Sequence, residues 1–462
     1  MKKPFLVGLL LVMVFVLPAF SQQRWQRAYG GGNGDCGESV QQTSDGGYIV
    51  GGYTESFGNG RQVYLIKTNA SGDTLWTRTY GGTGYDEGYS VQQTSEGGYI
   101  ITGGTNSFGN GTQVYLIKTN SSGDTLWTKT YGGPTHNVGY SVRQTSDGGY
   151  IIVGVTMPVG DTLGDVYLIK TSPSGDTLWT KTYGGEYGDA GNSVQQTSDG
   201  GYIVAGGYYS SWYGNQAYLL KTNMNGDTLW SRTFGAGYEF GHSVQQTTDG
   251  GYIMAGSTYP RGSSWQVYLI KTDSAGETLW IKDYGGTSYD FGNSVQQTTD
   301  AGYIITGWCS YLGRNAVYLV KTNASGDTLW TKAYEGTRQE LGYYVQQTSD
   351  GGYIIAGETQ SYGNGIQVYL IKTDANGNSG VETPIRQLDG STIRQLKATP
   401  NPFVSFTLIP GHSSEIFALY DISGRRVGVY KGDRIGEGLR AGVYFIRSLG
   451  QGGKPLRVVK IR

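Results

Sequence analysis

Seven acidic or amide residues, Asp35, Asp86, Asn137, Asp189, Glu239, Asp290 and Glu340, each stand two positions before a glycine at one recurring place in the chain. Carboxylates that converge on one point can hold a cation, while carboxylates set one per repeat also serve as local caps, accepting backbone N–H bonds at the start of their own strand. Both readings stay open. A second group is aromatic: Trp212, Tyr213, Trp265, Trp308 and Tyr311, with Tyr208, Tyr209 and Tyr259 near them, fall in the loops between the second and third strands of the fourth to sixth repeats only. Such rings stack on sugars, anchor a protein partner, or simply pack their own loops. Catalytic groupings are scarce. His136, His242 and His412 show no metal-ligand spacing. There is no Gly-x-Ser-x-Gly elbow. No catalytic residue, metal or cofactor is expected. Asn69-Ala70-Ser71 fits a glycosylation sequon but is read as an ordinary turn.

The elements that must position these side chains come from a repeat. Tryptophans at Trp25, Trp76, Trp127, Trp179, Trp230, Trp280 and Trp330 are spaced 51, 51, 52, 51, 50 and 50 residues apart. Tyr-Leu strands beginning at Tyr64, Tyr115, Tyr167, Tyr218, Tyr268, Tyr318 and Tyr369 keep the same rhythm. One copy reads as four strands: Ser90 to Thr94, Tyr99 to Gly103, Val114 to Thr119, and Thr125-Leu126-Trp127. The Asp-Gly turns, as at Asp45-Gly46, mark tight hairpins. A period near 50 with four strands per period predicts an all-β fold, a seven-bladed β-propeller.

Polarity orders the strands. The first carries Gln41, Gln92, Gln195, Gln245, Gln296 and Gln346, with Arg143 in the third copy, and is expected to line a water-filled channel. The second and third are continuous apolar runs, as expected of strands covered on both faces. The fourth repeats Trp, then Lys or Arg, then Tyr or Phe at alternate positions, a structural ladder on the outer edge. The chain opens with a lone fourth-type strand at Trp25, and the last copy stops after Lys372-Thr373. The first strand is therefore expected to complete the last blade and remove an open edge. The two longer loop families then emerge on one face, the expected site.

Composition agrees. Of 462 residues 78 are Gly and 38 Tyr, and only 15% are charged, which excludes coiled coil, collagen and simple disorder. Lys2 and Lys3 precede an apolar run from Phe5 to Phe20, and Ala19-Phe20-Ser21 supplies small residues, so residues 1–21 read as a secretory signal peptide. No later stretch is apolar enough to span a bilayer, so no transmembrane segment is expected in the mature chain. With only Cys36 and Cys309 there is no disulfide framework, although an oxidising compartment would permit one bridge. Residues 381–462 carry 13 Lys+Arg against 6 Asp+Glu, a net +7, whereas the mature part before them is −10. This break marks a domain boundary, and the acidic main part lacks the basic face that nucleic-acid binding needs.

The segment from Tyr115 through Gly123-Asp124-Thr125-Leu126-Trp127 resembles the Gly-x-x-x-Trp docking motif of quinoprotein-type propellers. That resemblance covers about residues 24 to 377 and implies the fold only, since that family's cofactor residues are absent. Residues 378–398 read as a polar linker. After it come Pro400-Asn401-Pro402, Tyr420-Asp421 with Gly424-Arg425, Gly442-Val443-Tyr444-Phe445, and Lys460-Ile461-Arg462. By physical reading residues 399–462 form a small sandwich of short strands and Gly turns. Their motifs closely resemble the type IX secretion C-terminal sorting domain. The resemblance implies passage through the outer membrane by the type IX machinery, followed in many members by tail removal and surface attachment. The expectation is a secreted or cell-surface propeller of residues 22–377 that binds a glycan or protein ligand. The alternatives are a polysaccharide lyase or hydrolase and a structural component of a surface layer.

Overall fold

The computed structural model describes residues 23–380, apart from 158–159, 161–162, 212–213, 261–263 and 312, together with 407–408, 416–421, 426–431, 434–435, 439–448 and 456–460. The expected signal peptide, nearly all of the expected linker, and Pro400, Asn401, Pro402, Gly424 and Arg425 lie outside the described residues. Contacts divide the chain into two units, Met1–Arg386 and Gln387–Arg462.

The first unit is a seven-bladed propeller of four-stranded antiparallel sheets. In the first blade the strands run Asp35–Gln42, Tyr48–Thr54, Gln62–Thr68 and Thr74–Tyr80, innermost to outermost. The middle strands are buried because both faces pack against neighbouring blades; Ile49, Val50, Leu65 and Ile66 are all sealed from water. The innermost strands are longer than the sequence suggests, starting at the acidic or amide position rather than four residues later, or one residue after it in blade four, at Ala190. A β-bulge between Gly37 and Ser39 accommodates the difference, and the same irregularity recurs in the other six blades. Glycine inside a strand is its sequence signal.

The ring closes as the phase of the repeats requires. Trp25–Tyr29 pairs antiparallel with Gln367–Thr373, Trp25 opposite Lys372, to complete the seventh blade. Each outer strand also clasps the next blade. Trp25 lies over Gly72, where a Cβ would meet the indole at 2.9 Å, and Tyr29 Oη donates to Gly72 O at 2.6 Å. Gly72 has φ +79°, so both the turn and the close approach demand glycine there. The same clasp joins Trp76 and Tyr80 to Gly123, and ends with Trp330 and Tyr334 on Gly377. The lead-out after the seventh copy is therefore the last turn of this series. Inside each blade a buried lysine of the third strand, such as Lys67, pairs with the turn carboxylate Asp45 at 2.9 Å.

In the second unit, Arg426–Lys431, Ile416–Asp421, Gly442–Ser448 and Leu456–Lys460 form an antiparallel sheet in that order. Thr407–Leu408 pairs with Arg434–Ile435 as a ribbon. Ile435 packs into the core made by Phe417, Leu419, Tyr444 and Ile446. Tyr420 and Asp421 end one strand, opposite Phe445 and Tyr444, and Gly442 pairs with Lys460. Tyr444 Oη donates to Arg440 O at 2.9 Å, so that motif tyrosine is also a core residue. Among the described residues no helix is long and apolar enough to cross a membrane.

Candidate functional site: the channel mouth

The seven innermost strands share the pattern Asp/Glu/Asn-x-Gly-x-Ser-Val-Gln-Gln, and the copies differ mainly at the two x positions. The second x is the bulged residue, and in the seven blades it is Glu38, Tyr89, Tyr140, Asn192, His242, Asn293 and Tyr343. All seven line one cavity of about 240 Å³ on the propeller axis, together with the serines and glutamines that follow. A uniform frame thus presents a non-uniform ring. Sequence reasoning took the repeated glutamines as the channel feature and missed this ring, although its signal, one divergent residue between Gly and Ser, is in every copy.

The glutamines do more than wet the channel. Gln41 Oε1 accepts from Gln93 N at 2.6 Å, and Gln346 Oε1 from Gln42 N at 2.7 Å, so side chain and next-blade backbone are joined around the ring. The second glutamine reaches the other way, to the preceding blade: Ser44 N donates to Gln93 Oε1 at 2.9 Å and Ser349 N to Gln42 Oε1 at 2.8 Å. A serine ring lies above, with Val91 N donating to Ser39 Oγ at 3.4 Å.

The mouth is chemically divided. Around the first blade, Cys36 Sγ donates to Glu38 Oε1 at 3.2 Å, and Tyr89 Oη donates to Glu87 Oε2. Arg61 pairs with both Glu87 and Glu55 and stacks 4.4 Å over the Tyr53 ring. Desolvation, opposed by the Cys36 hydrogen bond and reinforced by Glu358 and Glu87, pushes the Glu38 carboxyl up to about 7. Burial raises the Glu358 carboxyl as well, against hydrogen bonds from Cys36 and Tyr343. Cys36 and Cys309 are both buried free thiols.

On the opposite side, blades five and six hold a continuous aromatic ladder. Trp308 stacks on Phe291 at 4.2 Å, Phe291 on Trp265 at 5.1 Å, and Trp265 meets Phe240 at 6.0 Å. Phe240 in turn stacks on His242 at 6.2 Å, which brings the ladder to the cavity wall. Desolvation there lowers the His242 pKa to about 4, so the imidazole is neutral at physiological pH.

The anticipated site residues divide accordingly. Trp212 and Tyr213 lie outside the described residues. Trp265 and Trp308 are brought together through Phe291, which stacks on both, and each indole is left partly exposed. Trp308 and Tyr311 are not loop residues: the second strand of blade six extends to Tyr303–Tyr311, with Tyr311 opposite Arg314. A tight hairpin replaces the longer loop of other blades, and the second strand of blade four, Tyr202–Ser210, likewise absorbs Tyr208 and Tyr209.

Nor do the seven acidic or amide residues converge. Asp35 Oδ2 accepts from Gly31 N at 2.8 Å and Ser56 Oγ at 2.7 Å. Asp86 repeats this with Gly82 N and Ser107 Oγ. Asp189 accepts from Gly185 N, Glu239 from Gly237 N, Asp290 from Gly286 N and Glu340 from Gly336 N, each between 2.8 and 3.0 Å. Asn137 uses its amide instead, donating to Gly133 O at 3.0 Å. Each is a cap for its own loop because the buried loop backbone needs an acceptor. Among the described residues no group of three His, Cys, Asp or Glu is placed to hold a metal ion. His136 is exposed, and Asn69 is engaged in its turn, its Oδ1 accepting from Ser71 N and Asp73 N at 2.9 Å.

No protein-family model matches the chain, and no curated protein matches it. Among solved structures, the Neurospora crassa Pan2 WD40 domain is similar at 9% identity and TM-score 0.47, over 77% of this chain and 97% of that one. Chaetomium thermophilum Sqt1 bound to the N-terminus of the ribosomal protein L10 is similar at 11% identity and TM-score 0.44, over 75% and 98%. YCF48 bound to D1 peptide is similar at 10% identity and TM-score 0.44, over 78% and 100%. The propeller fold of this chain rests on its own strand pairing, given above.

Proposed function

We propose that this chain is an exported, non-catalytic binding module that recognises a saccharide at its channel mouth and carries a type IX sorting domain at its C-terminus. One observation carries the binding reading: the divergent residues of otherwise uniform innermost strands meet in a single cavity. Innermost strands kept alike for packing, yet divergent at the bulged position that faces a shared cavity, are what a binding site on a rigid scaffold requires. The lining favours a polyhydroxylated ligand, because amides, phenols, serines and a neutral imidazole offer both donors and acceptors. Glycan-array screening of the mature protein, followed by Asn192→Ala and Asn293→Ala, tests this. At least tenfold weaker binding is expected with only a modest fall in melting temperature, since each amide also donates to the next blade, Asn192 to Gly241 O and Asn293 to Gly342 O, both at 2.8 Å. Unaltered binding by both variants overturns it.

Export rests on the motifs of residues 399–462 and on the apolar leader. Removal of 399–462 should strand the propeller in the periplasm of a host with type IX machinery, and fusion of those residues to a reporter should export it. Surface display of the truncated protein would show that the tail is not a sorting signal.

A hydrolase or lyase has one feature in its favour, the Glu38 carboxyl pushed up to about 7 beside Glu358 in a channel wall. Turnover of any array-positive glycan by the wild type but not by Glu38→Gln would establish it.

A further inference from the structure

Two residues break the repeat inside the channel. Arg143 stands where the other six copies carry glutamine, and Tyr344 where they carry serine. Each change takes a member out of an inter-blade ring: the amide that accepts the next blade's N–H, as Gln92 does from Gln144 N, and the hydroxyl that does so, as Ser294 does from Val345 N. The two departures lie in blades three and seven, 201 residues apart, yet they meet: Arg143 Nη2 donates to Tyr344 Oη at 3.3 Å. Arg143 Nη1 donates to Val142 O at 2.8 Å and Ser90 Oγ at 3.4 Å.

All three acceptors are uncharged, and among the described residues Arg143 makes no ion pair. A partly buried guanidinium without an anion is a costly arrangement to keep for structure alone. Tyr344 gains packing against the apolar cluster that includes Val40 and Ile354; Arg143 puts a charge in place of an amide, and a position that abandons a local rule in this way is where function is expected. The planar fork of arginine suits a carboxylate, which it can meet with two parallel hydrogen bonds. The neighbouring lining, Asn192, Asn293, Tyr140 and His242, is polar and uncharged near neutrality. The carboxyl in the same cavity, Glu38, is pushed towards its neutral form and so opposes an anion less than an ordinary glutamate.

We infer that the channel cavity takes an acidic sugar, with Arg143 receiving the carboxylate of a uronic acid residue and Tyr344 acting as a positioning residue for the guanidinium. This rests on the reading of the cavity as a saccharide site and adds the charge of the saccharide.

The test is calorimetric titration of the full mature chain with glucuronate- and galacturonate-containing oligosaccharides and their neutral gluco and galacto counterparts. Arg143→Gln and Tyr344→Ser restore the residue of the other six copies, so the fold is kept and the melting temperature checks it. At least tenfold tighter binding of the acidic set is expected in the wild type. Arg143→Gln should abolish that preference, weakening binding of the acidic set at least tenfold more than binding of the neutral set, and Tyr344→Ser should reduce it. Equal binding of both sets, or a preference that survives Arg143→Gln, overturns the inference and leaves the saccharide reading standing. Binding of neither set overturns the saccharide reading and the inference with it.

Discussion

Tyr29 and Gly72, 43 residues apart, are joined by a 2.6 Å hydrogen bond from the phenol to the turn carbonyl, which ties the last strand of the seventh blade to the first blade. The N-terminal strand therefore holds two joints, its pairing with Gln367–Thr373 and this clasp. Deleting residues 22–30 should expose a strand edge and cause aggregation or a large fall in melting temperature. Trp25→Ala should cost about 3–5 kcal/mol, as for a buried large aromatic. An unchanged melting temperature after the deletion would contradict this closure.

Six of the seven clasps use a tyrosine hydroxyl, on Gly72, Gly123, Gly175, Gly226, Gly326 and Gly377. At the joint of blades four and five Phe234 replaces it, buried in the same cluster as Tyr252 and Tyr268. Phe234→Tyr should supply the missing donor to Gly276 O and raise stability by about 0.5–1.5 kcal/mol in chemical denaturation, a usual net value for one hydrogen bond. Destabilisation would show that this joint is packed differently from the other six.

The turn carboxylates set the acid limit. Partial burial works to raise the pKa of Asp45, but hydrogen bonds from Thr43, Lys67 and Gly47 N outweigh it and hold the carboxyl at about 2. Asp147, Asp199 and Glu96 are held as low by equivalent bonds. Folded values below the unfolded ones mean a stabilisation present above about pH 4 and lost as pH falls towards 2. Asp290, raised to about 6 by desolvation, and Glu38, at about 7, act the other way: their folded forms bind protons more tightly, so stability rises as pH falls through those values. The melting temperature should therefore peak near about pH 5 and fall steeply below about 4. A flat profile from pH 7 to 3 would exclude both effects.

Because Trp265 is wedged between Phe240, Tyr259 and Phe291, Trp265→Ala should destabilise blades five and six instead of acting on a ligand alone. A loss of about 1–2 kcal/mol is expected, less than a fully buried tryptophan because Trp265 is only partly covered. Hydrogen exchange confined to those blades would report it.

The number of blades, their four strands, the strand order and the closure by the Trp25 strand were all legible in the sequence, because each is a local pattern copied seven times and a period does not depend on long-range geometry. The inter-blade joints were legible only as types: the Trp and Tyr of the outer strand stood out, but that they fall on a glycine turn some 43 residues later is a matter of how successive blades twist and dock. The site was least legible. Asp35 and its equivalents looked like a ring because they share a repeat position, yet each turns into its own loop, where unpaired N–H groups are nearer than the channel axis. What the sequence determined by itself is the frame, since hydrophobic period and turn chemistry are properties of neighbours along the chain. What only the tertiary structure decided is which divergent residues share a cavity, so that Arg143 and Tyr344, each an isolated exception along the chain, become partners 3.3 Å apart when seven blades close into a ring.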